Sequence, residues 1–318
     1  MDTSIFQRSD EWLRPNDVIV SVPAKSGTHW TMYTLNMLRS RGHPPPFDDI
    51  YTETPWPEFV YYPGQPLNER IEYVRNLSSK FPFSIYKSHY APPDFPVRDD
   101  VRYVVMIRNT YDAIASLKGF YASFSPSFKT LWGGFPPNAN QSPEYWEHFV
   151  LEDGGDGQSF ASTFMQPLIG WWPYRHNKNV LIMHYSDRIL DDRPQLRRLA
   201  EFLQLNLTEE ELALVAENVS YEVMKKSEHL VEMMHLLDEF KKRGKVPLDA
   251  QVLDATIDSP MLQAGPKRSG KKECSERMRN RIQTMLLERF GPAVSNWIEN
   301  SGQLPINEEL PWLLRDKK

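Results

Sequence analysis

Lys25-Ser26-Gly27-Thr28-His29-Trp30 gathers an ammonium, two hydroxyls, an imidazole, an indole and a glycine in one short run. That set suits an anion. A glycine lets the backbone come close to a ligand, and the first N–H groups of a following helix point at it. Lys25 adds a point charge, and Ser26 and Thr28 add hydroxyl donors. The Walker A pattern GxxxxGK[ST] is absent, because no glycine lies five residues before Gly27 and Lys25 precedes the glycine. Taken alone, the run could equally be a strand-to-helix turn with a capping threonine. A second segment, Arg108-Asn109-Thr110-Tyr111-Asp112-Ala113-Ile114-Ala115-Ser116, carries a guanidinium and, two helical turns on, a hydroxyl. Both could face one anion at the carboxyl edge of a sheet, although Arg108 alone could be a salt-bridged strand end. A third, Lys87-Ser88-His89, places an ammonium beside an imidazole that titrates near neutrality when unperturbed.

The elements around these residues put them at comparable places. Residues 17–23 (DVIVSVP) form a β-branched run ending in a turn signal, so the first segment follows a strand and opens a helix over 30–41. Residues 83–87 (FSIYK) predict a second strand, which ends at Lys87. Residues 101–107 (VRYVVMI) predict a third, continuously apolar as a strand buried on both faces should be, and it ends at Arg108. A helix follows over 110–121. Residues 180–185 (VLIMHY) predict a fourth strand, ending at Tyr185. Residues 47–66 and 130–143 read as loops, 142–150 and 160–176 as helices, and 193–203 as an amphipathic helix. Thr208 and Glu211 form a capping box for a helix over 208–218, and helices over 275–290 and 292–300 close the chain. The alternation predicts an α/β fold: a single domain over 1–318, with a central, mostly parallel sheet of about four to five strands flanked by helices.

Taken together and in this order, the segments resemble the cytosolic-type, small-molecule sulfotransferases that use 3′-phosphoadenosine 5′-phosphosulfate (PAPS). The resemblance implies a P-loop-NTPase-like phosphate-binding loop at Lys25–Trp30 for the 5′-phosphosulfate. It implies that Arg108 and Ser116 bind the 3′-phosphate, in an RNxxDxxxS pattern whose spacing is intact. His89 falls on the catalytic histidine and Tyr185 on the end of the fourth strand. Ser220-Tyr221-Glu222-Val223-Met224 is similar to the adenine-contacting segment, and Arg268-Ser269-Gly270 resembles the RKG segment that closes on the 3′-phosphate. The matches run from residue 17 to about 290, with several departures. Ala24 intervenes between Pro23 and Lys25, His29 replaces a threonine, and Ser269 replaces a lysine, with Lys267, Lys271 and Lys272 nearby. The GDW stretch and the dimerisation segment are not recognisable.

What the resemblance implies chemically is sulfuryl transfer from PAPS to a hydroxyl or amine, leaving 3′-phosphoadenosine 5′-phosphate (PAP). Such a transfer needs in-line geometry, charge stabilisation and a base for the acceptor. Lys25 and Lys87 would stabilise the leaving phosphate, His89 would take the acceptor's proton, and Trp30 and Tyr221 would flank adenine. No metal is expected, since no His/carboxylate cluster has metal spacing and Gly154–Gly157 (GGDG) lacks a calcium ligand set. Tyr51, Trp56, Phe59, Phe120, Trp132 and Trp146 fall in or beside the long loops expected to form the acceptor pocket. Asp48, Asp49, Glu53 and Glu58 lie among them, so a cationic amine or guanidinium acceptor is one expectation and a solvated acidic loop the other. The rival functions are a P-loop-type nucleotide kinase, against which the missing GK[ST] argues, and a non-catalytic nucleotide-binding protein. The intact Lys25, Lys87 and His89 argue against the latter.

The average charge says little of this. The 318 residues hold 37 Lys and Arg against 42 Asp and Glu, a net −5, which excludes a broad basic surface for nucleic acid but not a focused anion site. Cys274 is the one cysteine, so no intrachain disulfide or Cys-based zinc site forms. Residues 1–14 have no apolar signal region and no apolar run approaches a membrane span, so a cytoplasmic protein with no membrane partner is expected.

Overall fold

Alternate residues of four short strands go to opposite faces of one sheet. In the computed structural model, which describes residues 1–43, 49–76, 81–152, 159–226, 241–245 and 269–315, the strands are β1 (Val18–Ser21), β2 (Ile85–Ser88), β3 (Arg102–Ile107) and β4 (Val180–His184). Ile19, Tyr103 and Val105 point into one core, with Trp171, Leu286 and Phe290. Val18, Val20, Val104 and Met106 point into the other, with Leu35, Leu38 and Leu199. Helices therefore cover both faces, which is why β1, β2 and β4 are buried at every position.

The order is β2-β1-β3-β4, all parallel. The chain leaves β1 toward β2 on one side and then returns to lay β3 on the other. The crevice beyond the carboxyl ends of β1 and β3 is thus the topological switch point where α/β sheets take ligands. Helix α1 (Thr28–Arg39) leaves β1 through Gly27, and short α2 (Ile50–Glu53) and α3 (Leu67–Asn76) follow. Helix α4 (Thr110–Ala122) leaves β3, capped by the Asn109 side chain, which accepts from the Tyr111 and Asp112 amides.

Elsewhere the sequence expectation needs correcting in places. The single helix expected over 160–176 is a 3-10 turn (Phe160–Phe164), a helix (Gln166–Trp171) and a second 3-10 turn (Trp172–Tyr174). Pro167 and Pro173 each lack the N–H that a continuous helix would use. The loop over 47–66 contains α2, and α3 follows it. The terminal helix Glu276–Asn300 breaks at Gly291, φ 71°, just before Pro292, which matches the two helices read from sequence. The capping box is formed as expected: Thr208 N–H donates to Glu211 at 2.8 Å and Glu211 N–H to the Thr208 hydroxyl at 3.2 Å. Gly154–Gly157 and Asp48 lie outside the described residues, as do Lys267 and Arg268. No helix among the described residues is long and apolar enough to cross a membrane.

Candidate active site

Outside the carboxyl edge of the sheet lies a cleft of about 1210 Å³. Lys25, Gly27, Thr28, His29, Trp30, Lys87, His89, Arg108, Ser116, Tyr185 and Tyr221 all line it. Segments from the ends of all four strands therefore meet in one place.

The loop after β1 turns through two left-handed residues, Lys25 (φ 59°) and Gly27 (φ 91°). Gly27 is needed for a second reason. A Cβ there would fall 2.6 Å from the ring of Tyr185, which closes the loop from β4. Thr28 then starts α1, whose first N–H groups have no partner within the helix. The Thr28 hydroxyl is buried and has no hydrogen-bond partner among the described residues. Ser26 takes a different place from the one expected. It is buried, does not line the cleft, and its hydroxyl points to the Ala24 carbonyl at 3.4 Å.

Arg108 ties the second segment to the first. One Nη donates to the Lys25 carbonyl at 2.6 Å, and the guanidinium sits 4.6 Å from the Tyr185 ring centroid. Its Nε is buried without a partner among the described residues. Ser269 and Gly270 do not line the cleft; the Gly270 N–H donates to the Asp112 carboxylate of α4. Lys271, one of the lysines considered for the cofactor, is paired with Glu299 at 2.8 Å.

The electrostatics of this cluster are those of desolvated, mutually repelling cations. Burial, with the repulsion of Arg108, lowers the Lys25 pKa to about 7. Burial pulls Lys87 well below its usual range as well; Glu58 opposes this and Lys25 adds to it. Burial, then Lys87, Lys25 and His89, keep His29 neutral. His89 falls to about 3, mainly by burial and then by Lys87. An anion among them would reverse each of the repulsive contributions. The orphaned Thr28 hydroxyl in the Lys25 loop fits a phosphosulfate group, and the orphaned Arg108 Nε fits a second phosphate.

His89 is held from both ends. Its amide donates to the buried Glu58 carboxylate at 2.9 Å, and its Nδ1 lies 2.5 Å from the Val22 carbonyl oxygen. A carbonyl can only accept, so Nδ1 carries the proton and Nε2 presents a lone pair. The Lys87 ammonium lies 3.2 Å from the Trp56 ring centroid. At the other end, Trp30 donates its indole N–H to the Val219 carbonyl at 2.9 Å, and Arg188 lies 3.9 Å over its ring.

Several residues take roles that the sequence did not disclose. Arg188 is buried, held by Asp192 and the Thr34 hydroxyl, and nothing in the sequence pattern pointed to it. Of the acids expected at an acceptor doorway, Asp49 caps α2, Glu53 pairs with Arg39 at 3.4 Å, and Glu58 lies behind His89. None of the three lines the cleft. Trp146 is corrected too: it belongs to a buried cluster with Tyr121 and Phe149. Tyr51, Trp56, Phe59, Phe120 and Trp132 do line the cleft.

Residues 15–247 match the family model described as the sulfotransferase domain. The chain belongs to the sulfotransferase family. An amine sulfotransferase of Oryctolagus cuniculus is 26% identical over 226 residues, covering 71% of this chain and 68% of that protein. Rat sulfotransferase 1A1 is 27% identical over 225 residues, 67% of this chain and 68% of the relative. A mouse sulfotransferase solved with PAP shares the fold, with a TM-score of 0.63 at 16% identity and 94% of each chain covered. Retinol dehydratase in complex with androsterone and PAP gives 0.60 at 16% identity, with 95% of this chain and 88% of that one covered. The sulfotransferase assignment agrees with the segments quoted from the sequence, and it displaces the nucleotide kinase as a reading of the phosphate loop.

Proposed function

We propose that this sulfotransferase takes its sulfuryl group from PAPS and transfers it to a hydroxyl or uncharged amine of a small, largely apolar acceptor, with His89 as general base. The donor supplies the sulfuryl group and leaves as PAP. The Lys25 loop and the start of α1 hold the 5′ end, Arg108 and Ser116 bind the 3′-phosphate with the segment at 268–270, and Trp30 and Tyr221 flank the base. PAP in two structural neighbours supports this choice of donor. Lys25 and Lys87 stabilise charge on the departing phosphate oxygen. His89 Nε2 accepts the acceptor's proton as the new S–O or S–N bond forms. Its basicity rises when a bound anion offsets Lys87 and Lys25, so the base strengthens where the donor is in place.

The observation that carries the reading is the Val22 carbonyl on His89 Nδ1, which fixes the tautomer a base requires. The acceptor end is enclosed by Phe59, Phe120, Tyr121, Phe124, Phe160 and Phe164, which suits a planar apolar molecule better than the cationic acceptor expected from the acidic loop.

The test is His89→Ala with PAPS and 2-naphthol as probes. Conversion of PAPS to PAP should drop at least about 100-fold while PAP binding stays within about threefold. Unchanged turnover rejects His89 as the base, and loss of PAP binding makes it a binding residue instead.

A further inference from the structure

One side chain of the phosphate loop has no part in the scheme above. His29 lies at the start of α1, and its Nε2 is 2.7 Å from the Tyr51 hydroxyl. The same hydroxyl accepts from the Lys87 ammonium at 3.2 Å. Tyr51 is the one hydrogen-bond partner of that ammonium among the described residues. The directions of the two bonds follow from the chemistry of the groups. An ammonium can only donate, so the Tyr51 oxygen accepts from Lys87 and its own proton is free to go to His29. Given to Nε2, that proton leaves His29 neutral with its own proton on Nδ1, the arrangement in which the Tyr51 hydroxyl proton also has a partner. Lys87, Lys25 and His89 all face it with cationic or potentially cationic groups, which favours the neutral form.

The chain His29–Tyr51–Lys87 is rigidly mounted. The Asp49 side chain accepts from the Tyr51 amide at 2.8 Å, and the Thr54 amide closes onto Ile50 at 2.7 Å. Asn36 of α1 reaches the Thr54 hydroxyl at 2.9 Å, so α2 and α1 are pinned to each other. Lys87 itself stands on β2, and its amide donates to the Pro55 carbonyl at 2.9 Å. The ammonium rests against the Trp56 ring, which gives it no direction. Among the described residues only the Tyr51 oxygen fixes where its protons point.

We infer that Tyr51, oriented by neutral His29, is the positioning residue that aims the Lys87 ammonium into the cleft. The inference rests on the role given to Lys87 in the proposed reaction. It assigns a function to Tyr51 and explains why an imidazole is tolerated in the phosphate loop: it serves as an acceptor for Tyr51 rather than as a donor to the ligand.

Four variants test it, read by conversion of PAPS to PAP with 2-naphthol and by calorimetric PAP binding. Tyr51→Phe keeps the ring and removes the oxygen. It should lower kcat between about 10- and 100-fold while PAP affinity stays within about threefold. His29→Leu should lose as much, and His29→Gln, which can still accept from Tyr51, should stay within about threefold of the parent. The double variant His29→Leu/Tyr51→Phe should be no worse than either single, since both cut one chain. A purely structural role would lower the melting temperature of the single variants and would show no rescue by glutamine. Full activity of Tyr51→Phe, failure of the glutamine rescue, or additive losses would overturn the inference. Lys87→Met separates the two levels. If it is fully active, the role of Lys87 is wrong; if it is inactive while Tyr51→Phe is fully active, only the positioning role falls.

Discussion

The backbone N–H of Gly270 donates to the Asp112 carboxylate at 2.6 Å, and a Cβ on Gly270 would lie 2.3 Å from the Tyr111 carbonyl oxygen. Gly270 is thus seated on the first turn of α4, the same turn that Arg108 precedes. One hydrogen bond joins the two candidate 3′-phosphate segments, although 158 residues separate the bonded pair. Gly270→Ala should push the segment off this seat. PAP affinity should fall about tenfold or more, or roughly 1.4 kcal/mol, by calorimetry. Unaltered affinity would mean the seat plays no part in binding.

Cofactor binding at Lys25 should depend on pH. Its pKa is about 7 in the free protein, and an anion beside it raises that value. PAP binding should therefore take up protons, and affinity should weaken as pH climbs above about 7. Calorimetry at pH 8 in two buffers of different ionisation enthalpy measures the uptake. Lys25→Met should diminish it; equal heats in the two buffers would refute the linkage. The free protein follows the opposite rule. An unfolded chain holds the Lys25 proton up to its ordinary 10.5, so it binds more protons than the folded one between about 7 and 10.5, and this group adds stability as pH rises through that window.

Gly27→Ala meets two obstacles, a left-handed φ of 91° and the Tyr185 ring. A loss of at least about 1–2 kcal/mol from the backbone alone is expected in urea unfolding. Adding Tyr185→Ala should recover none of the backbone part, because that strain is independent of the ring.

The acceptor end should discriminate against charge. Asp94 lines the cleft, as do Asp191, Asp192 and Glu222, and partial desolvation raises the Asp94 carboxyl above the ordinary range. 2-Naphthol should exceed the cationic 2-(aminomethyl)naphthalene in kcat/KM by at least about tenfold at pH 7. Phe160→Ala should raise the KM for 2-naphthol and leave PAP affinity alone. A preference for the cation would restore the acidic doorway read from the sequence.

The strands β1, β3 and β4 were legible as short, largely apolar runs, and the three cationic segments because Lys25, Lys87 and Arg108 stand at or just past the ends of β1, β2 and β3. Helix α3 was not. Its apolar stripe of Leu67, Ile71 and Val74 is short and has Arg70 on the same side, yet Arg70 is buried, bonded to the Asp2 and Pro57 carbonyls. The acids of residues 48–58 misled for a similar reason. Charge is visible in a sequence, but the partner that consumes it is not: Arg39 lies 14 residues before Glu53, and the amide that takes Glu58 lies 31 residues after it. Trp56 and Trp146 looked alike as loop-side aromatics, and only packing separates the one beside Lys87 from the one in the core.

The register of β1 on β2 pairs Ser21 with Ser88, and the Val22 amide continues the ladder to the Ser88 carbonyl. Val22 and His89 are the next residues out. The location of one proton on the imidazole is therefore written into strand alignment rather than into any neighbouring side chain. A slip of one residue would face His89 the other way and take its Nδ1 off the carbonyl. No substitution of a side chain around the imidazole can imitate that error, and none can repair it. The tautomer is inherited with the topology, so it should persist through wide sequence change for as long as these two strands stay in step.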